Sequence, residues 1–315
     1  MKHALPALVC VMCVTHAVSS ASQQQAERLV IRGATLVDGT GAPARGPVDI
    51  VVEKGIIADI VPADPVGMGR KGPRPTGDRV IEAEGMVVLP GFIDMHVHIP
   101  SDESPWGPDY AYKLWLAHGV TTVRDAGCFG GFEMVKRHRE ESAAGMRVAP
   151  RIYAYRVFPF GAKLDAEESR AKVREYKEQG ADGIKLPGVY PDLLEAIGSE
   201  ARSVGLPIMQ HNSIGARGRA TGVDSARAGI TSVEHWYGVP EAAIPGGQKL
   251  PLDYNELHEL DRFRWAGRLW QQVDWELMEE ALSAMVAQGI SWDPTFSVYE
   301  GNRDHVGERA VNGMP

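Results

Sequence analysis

The chain predicts an α/β protein: a (β/α)8 barrel of the TIM type behind a small N-terminal β-sandwich part. Three observations carry that expectation. From Gly91 onward, short β-branched runs alternate with helical stretches, recurring at roughly 25–30 residues, the length of one βα unit. Glycines stand just ahead of most of those runs, where a helix hands over to a strand: Gly119, Gly180, Gly205, Gly229 and Gly289. Polar side chains gather at the C-terminal ends of the runs, the end at which barrels build their sites.

Residues 1–21 read as a signal peptide. Lys2 precedes an apolar core from Ala4 to Val14, and small residues lead to a cleavage point after Ala21. This predicts export to a periplasmic or extracellular space. The apolar core is shorter than the ~20 residues a bilayer needs, so no stable membrane anchor is expected. Cys10 and Cys13 leave with the leader and Cys128 remains alone, which predicts no internal disulfide. The net charge of −8 argues against nucleic acid and anionic membrane surfaces as partners.

Residues 22–88 hold the predicted sandwich strands, in "LVIRGATLVDGTG", "PVDIVVEKGIIADIVP" and "RVIEAEGMVVLPG", with the Pro/Gly-rich loop "GMGRKGPRPTGD" between the last two. Residues 89–315 hold the barrel. Its strands are "FIDMHVH", "GVTTVRD", "RIYAYRV", "DGIKLPG", "PIMQHN", "TSVEHW" and "SWDPTFSV". Helices are expected between them, and the last interval carries an insertion at about 238–275. Seven strands favour a barrel over a doubly wound sheet but leave it one short, so the expectation is a sequence truncated before its eighth strand.

His96 and His98 close the first of these strands, Lys185 lies in the fourth, His211 ends the fifth and His235 the sixth. Residues i and i+2 of a strand share a face, so His96 and His98 point the same way. One histidine at a strand end is most simply a hydrogen-bonded polar residue. Four at the same end of three strands predict a metal site, because neutral imidazole is a good ligand for zinc and similar ions. Lys185 leaves alternatives open. An ammonium would be repelled by metal ions, whereas its carbamate, formed with carbon dioxide, is anionic and bridges two cations. The lysine equally suits a salt bridge to Asp182, Asp125 or Glu234. A Schiff-base role is the third alternative, but it gives the histidines nothing to do.

Five segments in this order, "LPGFIDMHVH" (89–98), "GVTTVRDAG" (119–127), "DGIKL" (182–186), "QH" (210–211) and "SVEH" (232–235), resemble the amidohydrolase superfamily, in its imidazolonepropionase-like and metal-dependent dipeptidase-like branch. The N-terminal "LVIRGATLVDGTG" is similar to that family's sandwich strands. The resemblance implies two divalent ions, zinc by expectation, with His96 and His98 on one, His211 and His235 on the other, and carboxylated Lys185 bridging them. It further implies a hydroxide held between the ions that attacks the carbonyl carbon of a small amide, cyclic amide or peptide substrate. The family's catalytic Asp ends the eighth strand; Asp293 and Asp304 do not stand in that context, so that residue is expected beyond Pro315. The alternative is a non-catalytic remnant that binds metal or a partner. A homo-oligomer is compatible with either.

Other polar residues have plainer expectations. His118 is read as a helix-end residue, His138 as part of a solvated helix face, and His258 as exposed in the insertion. His305 follows the last strand, where a substrate contact is an open alternative. Cys128 is read as a packed small residue, and Arg124 with Asp125 as a local ion pair or loop anchor. Tyr153, Tyr155, Tyr190 and Tyr299 are not separable into pocket and core by sequence.

Overall fold

The computed structural model describes residues 27–63, 73–159, 164–212, 220–247, 265 and 267–298. The predicted signal peptide, residues 248–264 and 266 of the predicted insertion (His258 among them), Tyr299, Asp304 and His305 lie outside these residues. The chain divides into two compact units, Met1–Pro90 and Gly91–Pro315.

The first unit is one mixed sheet among the described residues. Its strands are β1 (Arg28–Leu36), β2 (Arg45–Glu53), β3 (Ile56–Pro62), β4 (Arg79–Glu82) and β5 (Val87–Val88), in the order β3-β2-β1-β4 with β5 also beside β1. Lys54 and Gly55 turn β2 into β3 with φ of 50° and 79°, the positive values a tight hairpin of this hand requires. Leu36, Val48 and Ile50 form its buried core, packed by Ile31, Val52, Ile60 and Val88. Asp49 is fully buried but paired, 2.6 Å from Arg74 Nη2, with Gly33 N–H donating at 3.0 Å.

The second unit is a parallel sheet of seven strands among the described residues, each beside its neighbour in sequence. They are β6 (Phe92–Val97), β7 (Val120–Gly127), β8 (Arg151–Val157), β9 (Gly183–Leu186), β10 (Ile208–His211), β11 (Ser232–Glu234) and β12 (Ser291–Asp293). Helices alternate with them: α1 (Gly107–Ala117), α2 (Phe132–Ala143), α3 (Ala166–Glu178), α4 (Pro191–Ser203), α5 (Gly222–Ala228) and α6 (Trp275–Ala287). This is the alternating α/β barrel architecture, with β6 and β12 as the sheet's two edges.

Local sequence explains the helix ends. Asp165 and Glu168 form a reciprocal capping box at the start of α3, as Thr221 and Asp224 do for α5. Pro108 and Pro191 sit in the first turns of α1 and α4, where a missing N–H costs nothing. Gly198 lets α4 meet the chain end of α5 backbone to backbone: a Cβ there would stand 2.0 Å from the Ala228 carbonyl oxygen. The core between sheet and helices is built from residues such as Val123, Val135, Ile184, Ile197 and Val233, all fully buried.

Two expectations need correction. The last strand does not run through "SWDPTFSV" but stops at Asp293. Pro294 has no N–H for the ladder, and Thr295 turns the backbone left-handed at φ 50°. His138 is not on a solvated face. It is fully buried, and its Nδ1 lies 2.9 Å from the Tyr112 hydroxyl of α1. Phe132, Val135 and His138 fall on one stripe of α2, and the tyrosine satisfies the ring that the stripe buries.

Candidate functional site

The barrel interior is defined by what reaches across it. Ala126, Tyr155 and Met209 make a small buried cluster separate from the sheet–helix core, so Arg124, two residues before Ala126 on β7, and His211, two residues after Met209 on β10, share that inner side. Gly183 is what lets Tyr155 lie there. A Cβ at Gly183 would stand 2.3 Å from the tyrosine ring. Two residues on, the same face of β9 presents Lys185.

The structure brings all five predicted residues together at the C-terminal ends of β6, β9, β10 and β11. Ring centroids of His96 and His98 are 5.3 Å apart, His96 and His235 4.8 Å, and His235 and His211 4.6 Å. Lys185 Nζ lies 3.4 Å from His96 Nε2. Phe129 packs on His98 at 4.9 Å and Tyr237 on His211 at 5.1 Å. His235 Nδ1 is 2.7 Å from the Thr295 hydroxyl. Its backbone is left-handed, with φ 64°. That twist matters, because alternation on β11 already gives the inner face to Ser232 and Glu234. A regular strand would turn His235 away.

The electrostatics favour uncharged donors. Burial, then the nearby Lys185 charge, pushes His96 down to about 2 and His98 down to about 4. Both rings are therefore neutral at physiological pH, the form that ligates metal. Burial lowers Lys185 to about 8 against the opposing pull of Glu234. The lysine is paired with none of the carboxylates expected of it. Its hydrogen-bond contact is His96, while Asp182 binds Arg139 at 2.6 Å.

Arg124 and Asp125 are not a local ion pair. They face opposite sides of β7. Asp125 takes the Ile99 N–H at 3.3 Å on the outer side, and burial raises its carboxyl to about 7. Arg124 reaches inward. Its Nε donates to the Met95 carbonyl at 2.5 Å, Nη1 to the Ser232 hydroxyl at 3.1 Å and Nη2 to Glu234 at 2.8 Å. Glu234 Oε2 then meets His96 Nδ1 at 2.5 Å. Sequence reading missed this network; the inward parity of Glu234 was the signal that pointed to it. The other expectations fare plainly. Cys128 is buried and packed, with burial raising its thiol. His118 bonds back to the Leu114 carbonyl at 2.9 Å at the end of α1. Tyr155 is core, stacked under Arg124 at 5.4 Å, while Tyr153 and Tyr190 are exposed.

A cleft of about 540 Å³ runs between β6 and β12. Ile93, Met95, Trp292 and Pro294 line it, with Asp94, Arg124 and Asp293 as its charged groups. His96, Glu234 and Asp293 also bring potential ligand atoms within 4.8 Å of one another.

A sequence profile of the amidohydrolase family matches residues 87–250, just over half of the 315-residue chain. The chain belongs to the amidohydrolase family. A dihydroorotase of Geobacter metallireducens is 25% identical over 196 residues, covering 58% of this chain and 42% of the relative. The chain thus spans well under half the length of such curated relatives. Among solved structures, molinate hydrolase aligns with a TM-score of 0.54 at 17% identity, covering 85% of this chain and 72% of that one. Aspergillus niger ochratoxinase aligns at 0.53 and 19%, covering 89% and 68%. These two likenesses show the barrel fold alone.

Proposed function

We propose that this chain holds two divalent metal ions, zinc by expectation, and hydrolyses a carbon–nitrogen bond in a small amide, cyclic amide or dipeptide. The observation that carries the reading is the convergence of four imidazoles and one buried lysine from four strands. The donor set fits: the His96 and His98 rings are held neutral, and no carboxylate among the described residues pairs with Lys185. His96 and His98 would hold one ion, His211 and His235 the other, and a carboxylated Lys185 both.

Divalent ions supply Lewis acidity in such a site, polarising a carbonyl and lowering the pKa of water. The chain's own residues prepare it. Desolvation lets the Lys185 ammonium lose its proton near pH 8. The neutral amine then adds to carbon dioxide: a nitrogen–carbon bond forms, a proton leaves, and an anionic carbamate replaces a cation. Phe129 packs on the His98 ring and Tyr237 on the His211 ring, giving these imidazoles aromatic neighbours. Family membership and the dihydroorotase relatives support a cyclic amide as the first substrate to test. The leader-like residues 1–21 support export, which predicts a mature protein beginning at Ser22 by N-terminal sequencing.

The test is metal analysis joined to hydrolysis of a panel of cyclic amides and dipeptides. About two ions per chain, with metal and hydrolysis both lost in Lys185→Ala, is the expected result. Metal-free protein that hydrolyses as fast as loaded protein overturns the reading. Bound metal without turnover of any amide favours the metal-binding, non-catalytic alternative.

A further inference from the structure

We infer that Glu234 and Arg124 are positioning residues that fix the ring of His96 in the one tautomer able to bind metal through Nε2, an inference that rests on the metal reading above. The two nitrogens of His96 have different partners. Nδ1 faces the Glu234 carboxylate at 2.5 Å, and a carboxylate only accepts, so Nδ1 carries the hydrogen. Nε2 faces Lys185 Nζ at 3.4 Å, a group that donates. Both contacts demand the same tautomer, and it leaves the Nε2 lone pair directed at the space shared with Lys185.

The carboxylate is itself held. Oε1 of Glu234 accepts from Arg124 Nη2 at 2.8 Å and from the Ser232 hydroxyl at 2.5 Å. Glu234 is fully buried, and Arg124 is nearly so. The guanidinium also binds the carbonyl of Met95, the residue before His96. One arginine therefore ties the backbone of β6 and, through Glu234, the ring that β6 presents. The left-handed backbone at His235 lets β11 supply this carboxylate and a histidine of the cluster from adjacent positions.

Glu234 is a holder of His96 and not itself a ligand. A cation placed among His96, Glu234 and Asp293 would compete with the His96 Nδ1–H and the Ser232 hydroxyl for the Glu234 oxygens. It would also meet the Arg124 guanidinium, 2.8 Å from Glu234 and 4.0 Å from Asp293. A fixed positive charge at those distances disfavours a second one.

The test uses Glu234→Gln and the double variant Arg124→Met/Glu234→Leu, read by zinc affinity in chelator competition, thermal midpoint, and histidine tautomers from long-range nitrogen–proton NMR of metal-free protein. In Glu234→Gln the amide oxygen is claimed by Arg124 and Ser232, so the amide N–H faces Nδ1 and the ring shifts to the Nε2–H tautomer. Zinc affinity at one of the two sites falls about 10–100-fold, the usual loss when a ligand's supporting partner is removed. The other site changes less than about threefold. The double variant, with no unpaired charge, recovers the thermal midpoint but keeps the loss of affinity. Recovery of both midpoint and affinity makes the pair merely structural and overturns the inference, as does unchanged or equally reduced affinity at both sites, or an unchanged tautomer in Glu234→Gln. Wild-type protein that binds no zinc overturns the metal reading itself, a separate result.

Discussion

Glu241 offers a pH test of the loop that follows His235. It lies in the short 3-10 turn Pro240–Ala243, where Oε2 accepts the Gly238 N–H at 2.8 Å and Oε1 is shielded from solvent with no hydrogen-bond partner among the described residues. Burial lifts its carboxyl from 4.5 to about 7. The unfolded chain releases this proton near 4.5, while the folded chain keeps it to about 7. Between those values folding takes up a proton, so stability falls as pH rises. The contribution is full below 4.5 and lost above about 7. The displacement corresponds to about 3 kcal/mol. Glu241→Gln removes the titration. The variant is expected to gain about 3 kcal/mol on wild type between pH 4 and pH 8, whatever its absolute stability at either. The assay is urea unfolding at both pH values, followed by tryptophan emission. All seven tryptophans lie beyond Gly91, so the signal reports the barrel unit alone. Wild-type and variant stabilities that run parallel between the two pH values refute the reasoning.

Three further substitutions separate packing, capping and charge. Gly183→Ala forces a methyl group onto the Tyr155 ring and should cost about 1–3 kcal/mol in urea unfolding, typical of overpacking. Asp165→Ala deletes the acceptor half of the α3 capping box; a loss of about 1 kcal/mol is expected, with metal content unchanged by metal analysis. Arg124→Met strands a buried carboxylate at Glu234 and should cost about 3–5 kcal/mol, most of it restored when Glu234→Leu is added, as measured by the same unfolding curves.

The fold was legible because its signals are local. "RIYAYRV" is β8 residue for residue, since a β-branched and aromatic run between Pro150 and Pro159 has few other ways to be read. β12 ends short of its apolar run for a reason equally local in origin: Pro294 cannot donate to the ladder, yet the run continues apolar beyond it. The burial of His138 is not legible locally, because it depends on Tyr112, twenty-six residues earlier and on another helix. Charged neighbours on α2 advertise a solvated face; only packing reveals which stripe turns inward.

The candidate site divides along the same line. Histidines announce themselves by type and by their place at strand ends. The residues that hold them do not, because arginine and glutamate near strand ends are ordinary. Strict alternation puts His96 and His98 on one face, and applied to β11 it selects Ser232 and Glu234 instead of His235. Both selections hold in the structure, since the backbone at His235 reverses hand and brings the ring in after all. A motif such as "SVEH" therefore carries two inward residues where the pleat allows one. The cost is a strained dihedral at a non-glycine position, which the Thr295 hydroxyl on Nδ1 and the Trp292 indole on the His235 carbonyl hold in place. Strain kept by contacts from the next strand has a use only if both side chains are needed at once. That need follows if Glu234 orients one imidazole while His235 stands beside it as another.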